Sequence, residues 1–229
     1  MDFAKFEKVI DFQFKDKNLL KTSFTHRSYL NENKKGVKEH NERMEFLGDA
    51  VLELIVTEFL YGKYPDKNEG DLTSYRAALV NANTLSGVAL NLGMNNYLLL
   101  SKGEKKDEGR ARQYILANTI EALIGAIFLD GGYEGAKNFT EKFILPLTEN
   151  IVNNKGWIDS KSLFQEKAQD EDGITPSYEV LKETGPDHDK KFTVAVFIGR
   201  EKVAEGEGKS KQDAEQEAAK NALKKKGWG

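Results

Sequence analysis

His40–Leu54, HNERMEFLGDAVLEL, is the stretch on which the fold and the chemistry of this chain turn. Glu42, Glu45, Asp49 and Glu53 are spaced i, i+3, i+7 and i+11. At about 100° per residue they fall in a stripe roughly 80° wide on one side of a helix. Met44, Phe46, Leu47, Val51, Leu52, Leu54, Ile55 and Val56 fill the other faces. A helix apolar nearly all round is expected to be buried, and carboxylates buried side by side need a cation or a proton to compensate them. Alternatively, the acids form a solvated face with Arg43 as a neighbour. The narrow stripe, without a Lys and set among bulky apolar residues, favours burial.

A second strongly apolar helix is expected over Arg112–Leu129, stopped by Asp130-Gly131-Gly132. Its middle offers two strongly polar groups, Asn118 and Glu121, on one face at i, i+3. Two apolar helices, each presenting oxygen ligands, suit a Mg2+ or Mn2+ site completed by water and a phosphate oxygen. The rest of the chain up to about Thr148 also follows helical periodicity. Phe3, Phe6, Val9 and Ile10 mark the first helix, Leu19–Phe24 a second, and Glu69–Val80, Ala82–Leu90 and Glu134–Leu145 three more. Asn31–Lys38 and Ser101–Gly109 are polar, glycine-containing loops.

The pattern changes after Asn153–Gly156, a short glycine-containing linker that would let two domains reorient. Ser162–Gln169 reads as a helix with Ser160 as its N-cap. Tyr178–Glu183, Phe192–Ile198 and Glu201–Gly208 read as strands, the second rich in β-branched and aromatic residues. Ser210 then caps a closing helix to about Lys224. The expected fold is therefore an all-α N-terminal domain over 1–152, a linker over 153–157, and an α+β domain of order α-β-β-β-α over 158–229.

The 229 residues contain no Cys and 3 His, so there is no disulfide framework, no thiolate zinc site and no cysteine nucleophile. Any metal is left to oxygen ligands. The net charge of −3 carries no basic excess, and neither half supplies one: 21 basic against 22 acidic residues over 1–157, then 13 against 15 over 158–229. Any nucleic-acid surface must come from local placement. Met1–Leu20 has no continuous apolar core of the kind a signal peptide needs. Ala50–Val56 and Ile120–Leu129 read as too short or too charged to span a bilayer. The expected location is the cytoplasm, without a membrane partner.

His40–Asp49 resembles the signature of the ribonuclease III family, enzymes that cut double-stranded RNA. Thr25-His26-Arg27-Ser28, Glu69-Gly70-Asp71 and Ile115–Asp130 (ILANTIEALIGAIFLD) match further family motifs in the expected order, and the resemblance covers essentially the whole chain. It implies that Glu45 and Glu121 are metal ligands and that Asp49 is a catalytic acid near the attacking water. Glu42 and Glu69 would be accessory acids of the cleft. Arg43 is expected to orient the acids through a salt bridge, His26 and His40 to be structural hydrogen-bonding residues, and Gly48 to allow close helix approach. One position departs from the family pattern: Asn118 stands where the family has aspartate. Its carbonyl can still coordinate a hard cation or hold a metal-bound water, but without the negative charge.

The C-terminal part resembles a double-stranded RNA-binding domain. Gln165 and Gln169, at i, i+4 on its first helix, would contact 2′-hydroxyls in a minor groove. Gly185-Pro186-Asp187-His188 would enter the next minor groove, with Pro186 and His188 as contacts. Lys209, Ser210 and Lys211, at the start of the last helix, would hold phosphates across the major groove. Gln212 replaces a common family basic residue, and Asp213, Glu215 and Glu217 lie close by, so steep salt dependence is expected.

The resemblance implies a homodimeric endoribonuclease with Mg2+, replaceable by Mn2+, as its only cofactor. It would leave 5′-phosphates, 3′-hydroxyls and short 3′ overhangs on ribosomal RNA precursors and structured messenger RNAs. Two other functions compete with it. One is a duplex-RNA binder that has lost cleavage through Asn118, although five retained acids speak against this. The other is a metal-dependent hydrolase of small phosphate esters, which leaves the C-terminal domain without a role.

Overall fold

Glycine sets the central packing of the N-terminal half. In the computed structural model, which describes residues 2–33, 39–106, 109–153, 159–186 and 190–228, α4 (Glu42–Lys63) and α7 (Arg110–Phe143) lie against each other. A Cβ on Gly48 would stand 1.8 Å from the backbone oxygen of Glu121. One on Gly125 would stand 2.3 Å from the backbone oxygen of Met44. Both distances are far inside van der Waals contact, so a side chain at either position would push the two helices apart.

Around this pair are α1 (Phe3–Ile10), α2 (Lys17–Ser23), α3 (Arg27–Glu32), α5 (Glu69–Val80), α6 (Ala82–Asn91) and α8 (Thr148–Asn153). Their starts follow the local chemistry. Asp16, Asn68 and Asn81 cap α2, α5 and α6 by accepting backbone N–H bonds from Asn18, Asp71 and Thr84. Inside α7 the helix breaks at Gly132, whose φ is 70°, at the Asp-Gly-Gly stop seen in the sequence. Asp130 turns its carboxylate back to accept the backbone N–H groups of Lys15 and Asp16 at 2.8 and 2.9 Å. Leu52, Ile55, Leu60, Leu116, Ile120 and Leu123 form the centre of the core.

Three features differ from expectation. First, α4 is not buried all round: Phe46 is 82 % exposed, Leu54 58 % and Tyr61 76 %. Its apolar girth exceeds what α7 and α5 cover. Second, the helical stretch from Arg110 to Asn153 contains an 18-residue window of mean hydropathy 1.4, long and apolar enough by composition to cross a membrane. In the structure 61 % of that window is buried, and α7 packs on α4, α6 and α2. Third, Asn153 ends α8 rather than opening the linker, while linker residues 154–157 lie outside the described residues.

The chain divides into two units, Met1–Trp157 and Ile158–Gly229. In the second, α9 (Ser160–Asp172) precedes the antiparallel strands β1 (Ser177–Thr184), β2 (Lys191–Ile198) and β3 (Glu201–Gly208), and α10 (Lys211–Lys226) closes it. Tyr178 faces Val196 across the first pairing, and Val194 faces Gly206 across the second. Phe164, Val196, Val203, Ala218, Ala219 and Leu223 make its core. Here too glycine brings elements together. A Cβ on Gly206 would stand 2.1 Å from the Ala218 nitrogen, and one on Gly208 2.4 Å from that of Ala214. Ser210 caps α10 as expected, accepting from the Asp213 N–H at 3.1 Å. Asp159, not Ser160, caps α9, accepting from Ser162 N–H at 2.8 Å, because the helix starts two residues earlier than its apolar pattern.

Candidate active site and nucleic-acid face

The close approach at Gly48 and Gly125 decides where the acids go. Glu45 and Asp49 flank Gly48 on α4; Asn118 and Glu121 lie on α7, whose Glu121 backbone is what Gly48 touches. Burial pushes the Glu121 carboxyl up to about 8, with Asp49 and then Glu45 adding repulsion. Glu45 is raised in the same direction, first by burial and then by the charges of Glu42 and Asp49, opposed by a hydrogen bond from the Asn118 side chain. Among the described residues no cationic side chain acts on either carboxyl.

The stripe is therefore only partly sunk. Glu45 and Glu121 are half-buried, whereas Glu42 and Asp49 are exposed at the mouth. This corrects the expectation of a fully buried row: α4 keeps one side uncovered, and the acids follow its edge. Glu42 is paired by Arg27, with Nη1 to Oε1 at 3.6 Å, and His40 Nδ1 lies 3.8 Å from its other oxygen. Arg43, expected in that role, is exposed and forms no ion pair among the described residues. His26 is structural as expected. It caps α3 by accepting from Ser28 N–H at 3.3 Å, its ring contacts Ser28 Oγ at 2.8 Å, and burial lowers its pKa. The Nδ1 of His40 is buried without a hydrogen-bond partner among the described residues.

Glu69 stands apart. It is exposed in the first turn of α5, accepting from Thr73 Oγ1 at 3.2 Å, and is not among the charges that act on Glu45 or Glu121. The resemblance implies an accessory role for it in the cleft, and α5 carries it on a helix other than α4 and α7. Two residues were missed. Glu104 is half-buried in the cleft wall, and its carbonyl accepts from Arg112 at 2.6 Å. Tyr114 also lines the cleft. Nothing in the sequence marks Glu104, but Tyr114 shares a face with Asn118 and Glu121 at i, i+4, i+7 and could have been found.

The cleft holds about 620 Å3. Among the described residues no three His, Asp or Glu side chains already converge on a metal-sized point. The donor chemistry nevertheless fits a hard divalent cation: oxygen ligands only, three of them half-buried, with like charges unneutralised by any basic neighbour among the described residues. Glu45, Glu121, Asp49 and the Asn118 carbonyl are the groups that could hold one.

In the second unit, Gln165 and Gln169 are exposed on one side of α9 beside a shallow depression shared with Ser162, Glu166 and Asp170. Gln169 Oε1 accepts from Thr175 Oγ1 at 3.3 Å. Pro186 is exposed after β1; His188 lies outside the described residues. Lys209 and Lys211 are exposed on either side of the capping Ser210, and Lys211 Nζ is 5.9 Å from the Phe192 ring centre.

Comparison with known proteins agrees with both halves. Residues 16–148 match a ribonuclease-III-like family model, and residues 160–226 a double-stranded RNA binding motif. The chain is 47 % identical over 212 residues to Ribonuclease 3 of Streptococcus mutans, covering 93 % of this chain and 91 % of that one. It is 44 % identical over 221 residues to Ribonuclease 3 of Bdellovibrio bacteriovorus, covering 96 % and 94 %. Among solved structures, the nuclease domain of Campylobacter jejuni ribonuclease III, described for flexibility in its region of dimer formation, is 40 % identical. It superposes with a TM-score of 0.58, covering 63 % of this chain and 97 % of that one. An all-helical unit with an acid-lined cleft, followed by a duplex-RNA-binding unit, thus makes the chain a member of the ribonuclease III family and a double-stranded RNA endoribonuclease.

Proposed function

We propose that the Glu45–Asp49–Glu121 cluster is the cleavage centre and that it works with Mg2+, which Mn2+ can replace. The observation that carries this is the pair of raised, half-buried carboxyls at the Gly48 contact, a concentration of negative charge on which no cation among the described residues acts. When bound, a divalent cation supplies water of lowered pKa and neutralises charge on the transferring phosphoryl group. Glu45 and Glu121 hold it, one from each helix. Asn118 lines the cleft with Glu45, lowers that carboxyl's pKa, and offers its carbonyl to the same centre. Asp49, at the exposed edge, orients the attacking water and accepts its proton. The water oxygen bonds to phosphorus, the bond to the 3′ oxygen breaks, and that oxygen takes a proton. The products are a 5′-phosphate and a 3′-hydroxyl.

Duplex RNA is held by the second unit through Gln165, Gln169, Pro186, His188, Lys209, Ser210 and Lys211. The chain acts as a homodimer in which each centre cuts one strand and short 3′ overhangs result. The exposed Phe46, Leu54 and Tyr61 on α4 support this, as does the dimer-forming region named for the Campylobacter domain. Glu69, in the first turn of α5, would act as an accessory acid. Precursors of ribosomal RNA and structured messenger RNAs in the cytoplasm are the proposed substrates. Incubating a long RNA duplex with Mg2+, Mn2+ or a chelator tests the centre. Wild type should give short products with either metal, and Glu121→Gln should give none. Cleavage in chelator would overturn the metal reading, as would an inert wild type that Asn118→Asp restores overturn Asn118 as a working member of the site.

A further inference from the structure

The acid-lined cleft poses a problem for its substrate. An RNA strand brings one negative charge per nucleotide into a wall made of Glu42, Glu45 and Glu104, with Asp49 and Glu121 beside them. A cation at the carboxylates answers this at one point only. Among the described residues Arg27, whose side chain is 70 % exposed while loosely paired with Glu42, lines the cleft, and Arg110 stands against Tyr114, another lining residue.

Arg110 opens α7, and its guanidinium carbon is 5.8 Å from the ring centre of Tyr114, with Nη2 3.4 Å from the phenol oxygen. Tyr114 is 47 % exposed and lines the cleft. Among the described residues Arg110 has no carboxylate partner. An exposed aromatic ring with a guanidinium against it offers a π-face and fixed N–H donors side by side. Along α7, Tyr114 stands about 6 Å from Asn118 and about 10 Å from Glu121 by helical rise, on the same face. A strand whose phosphate lies at the carboxylate cluster and that follows α7 toward its start passes this pair.

We infer that Arg110 and Tyr114 form a subsite for the nucleotide flanking the scissile phosphate. Arg110 takes the neighbouring phosphate and Tyr114 packs on the adjoining ribose or base, fixing the strand's register in the cleft. Both touch substrate without touching the metal ligands, so they set how the RNA lies and leave the cation site alone. The inference rests on Glu45, Asp49 and Glu121 being the cleavage centre, and the two can fail separately. Normal cleavage by Glu121→Gln would remove the centre, whereas the subsite is judged on its own variants.

The test is steady-state cleavage of a long RNA duplex by the full chain in Mg2+ across a salt series, with Mn2+ affinity measured in parallel. Arg110→Ala should raise KM about tenfold with kcat nearly kept, and lower the log–log salt slope by about one phosphate contact. Arg110→Lys should restore the slope. Tyr114→Ala should raise KM several-fold, the loss of one stacking contact, and Tyr114→Phe should behave as wild type. Mn2+ affinity should be the same in all four variants. Wild-type KM and salt slope in both alanine variants would overturn the subsite. Loss of Mn2+ affinity in step with activity would also overturn it, by showing that these residues act through the acidic cluster.

Discussion

The two units use the same packing device to opposite ends. In the first, Gly48 and Gly125 let two long helices touch backbone to backbone, and the contact sinks Glu45 and Glu121 beside each other until burial raises their pKa values. In the second, Gly206 and Gly208 let α10 settle on β3, and the contact leaves Lys209 and Lys211 standing in solvent around the Ser210 cap. Chemistry on phosphorus needs charge held where water is scarce, so that a cation is strongly drawn in. Binding a long, charged duplex needs charge kept hydrated and exchangeable, so that counterions are released on contact. Close glycine packing serves both, and what the flanking residues do with the resulting surface separates a cleavage site from a grip.

The comparison breaks most sharply at the glycines. Gly48→Ala places a methyl 1.8 Å from the Glu121 backbone oxygen, so α4 and α7 must separate. Overpacking of this kind costs about 1–3 kcal/mol or more. Cleavage should fall below detection while duplex binding, measured by gel shift, persists. Gly206→Ala should do the reverse in kind: duplex affinity collapses, and residual cleavage survives only at low salt. If Gly48→Ala cleaved normally, helix approach would not be what builds the site.

Next in size is the grip itself. Lys209→Ala/Lys211→Ala should lower duplex affinity about 10- to 100-fold near physiological salt and reduce the salt slope by about two contacts. Cleavage should recover as ionic strength is lowered. Unchanged binding at moderate salt would remove this lysine pair from the interface.

Much of this was legible in the sequence because it was written in periodicity. The acid stripe of α4, the Asp130-Gly131-Gly132 break in α7, the three strands and the Ser210 cap all follow from residue spacing. Gly48 was found because it lies inside the signature that carries the family resemblance. Gly125, Gly206 and Gly208 were not, since a glycine's purpose lies in what faces it, and that belongs to another element. The same limit explains the misplaced partner. Arg27 takes the role expected of Arg43 because α3 reaches Glu42 through space, a proximity that chain order does not specify. The exposed Phe46 was hidden by an all-apolar circumference, from which no pattern tells which side stays uncovered.

The smallest predicted effect concerns protons. Glu121 in the fold holds its proton up to about 8, against 4.5 for the free side chain. The folded state therefore binds more protons than the unfolded state between those values. The stability this gives is fully present below pH 4.5 and is lost as pH rises through about 8. Metal-free protein should unfold at lower temperature at pH 9 than at pH 6, and Glu121→Gln should flatten that decline. A pH-independent unfolding temperature in wild type, or the same decline in Glu121→Gln, would mean the carboxyl is not held as described.

The most direct test is the Mn2+-dependent shift in unfolding temperature of RNA-free protein at pH 8, comparing wild type, Glu121→Gln and Asn118→Asp. Wild type should be stabilised, Glu121→Gln should lose most of the shift, and Asn118→Asp, with one more negative charge at the centre, should saturate at lower Mn2+. An equal shift in wild type and Glu121→Gln would contradict the claim that the half-buried carboxyls at the Gly48 contact are where the cation binds.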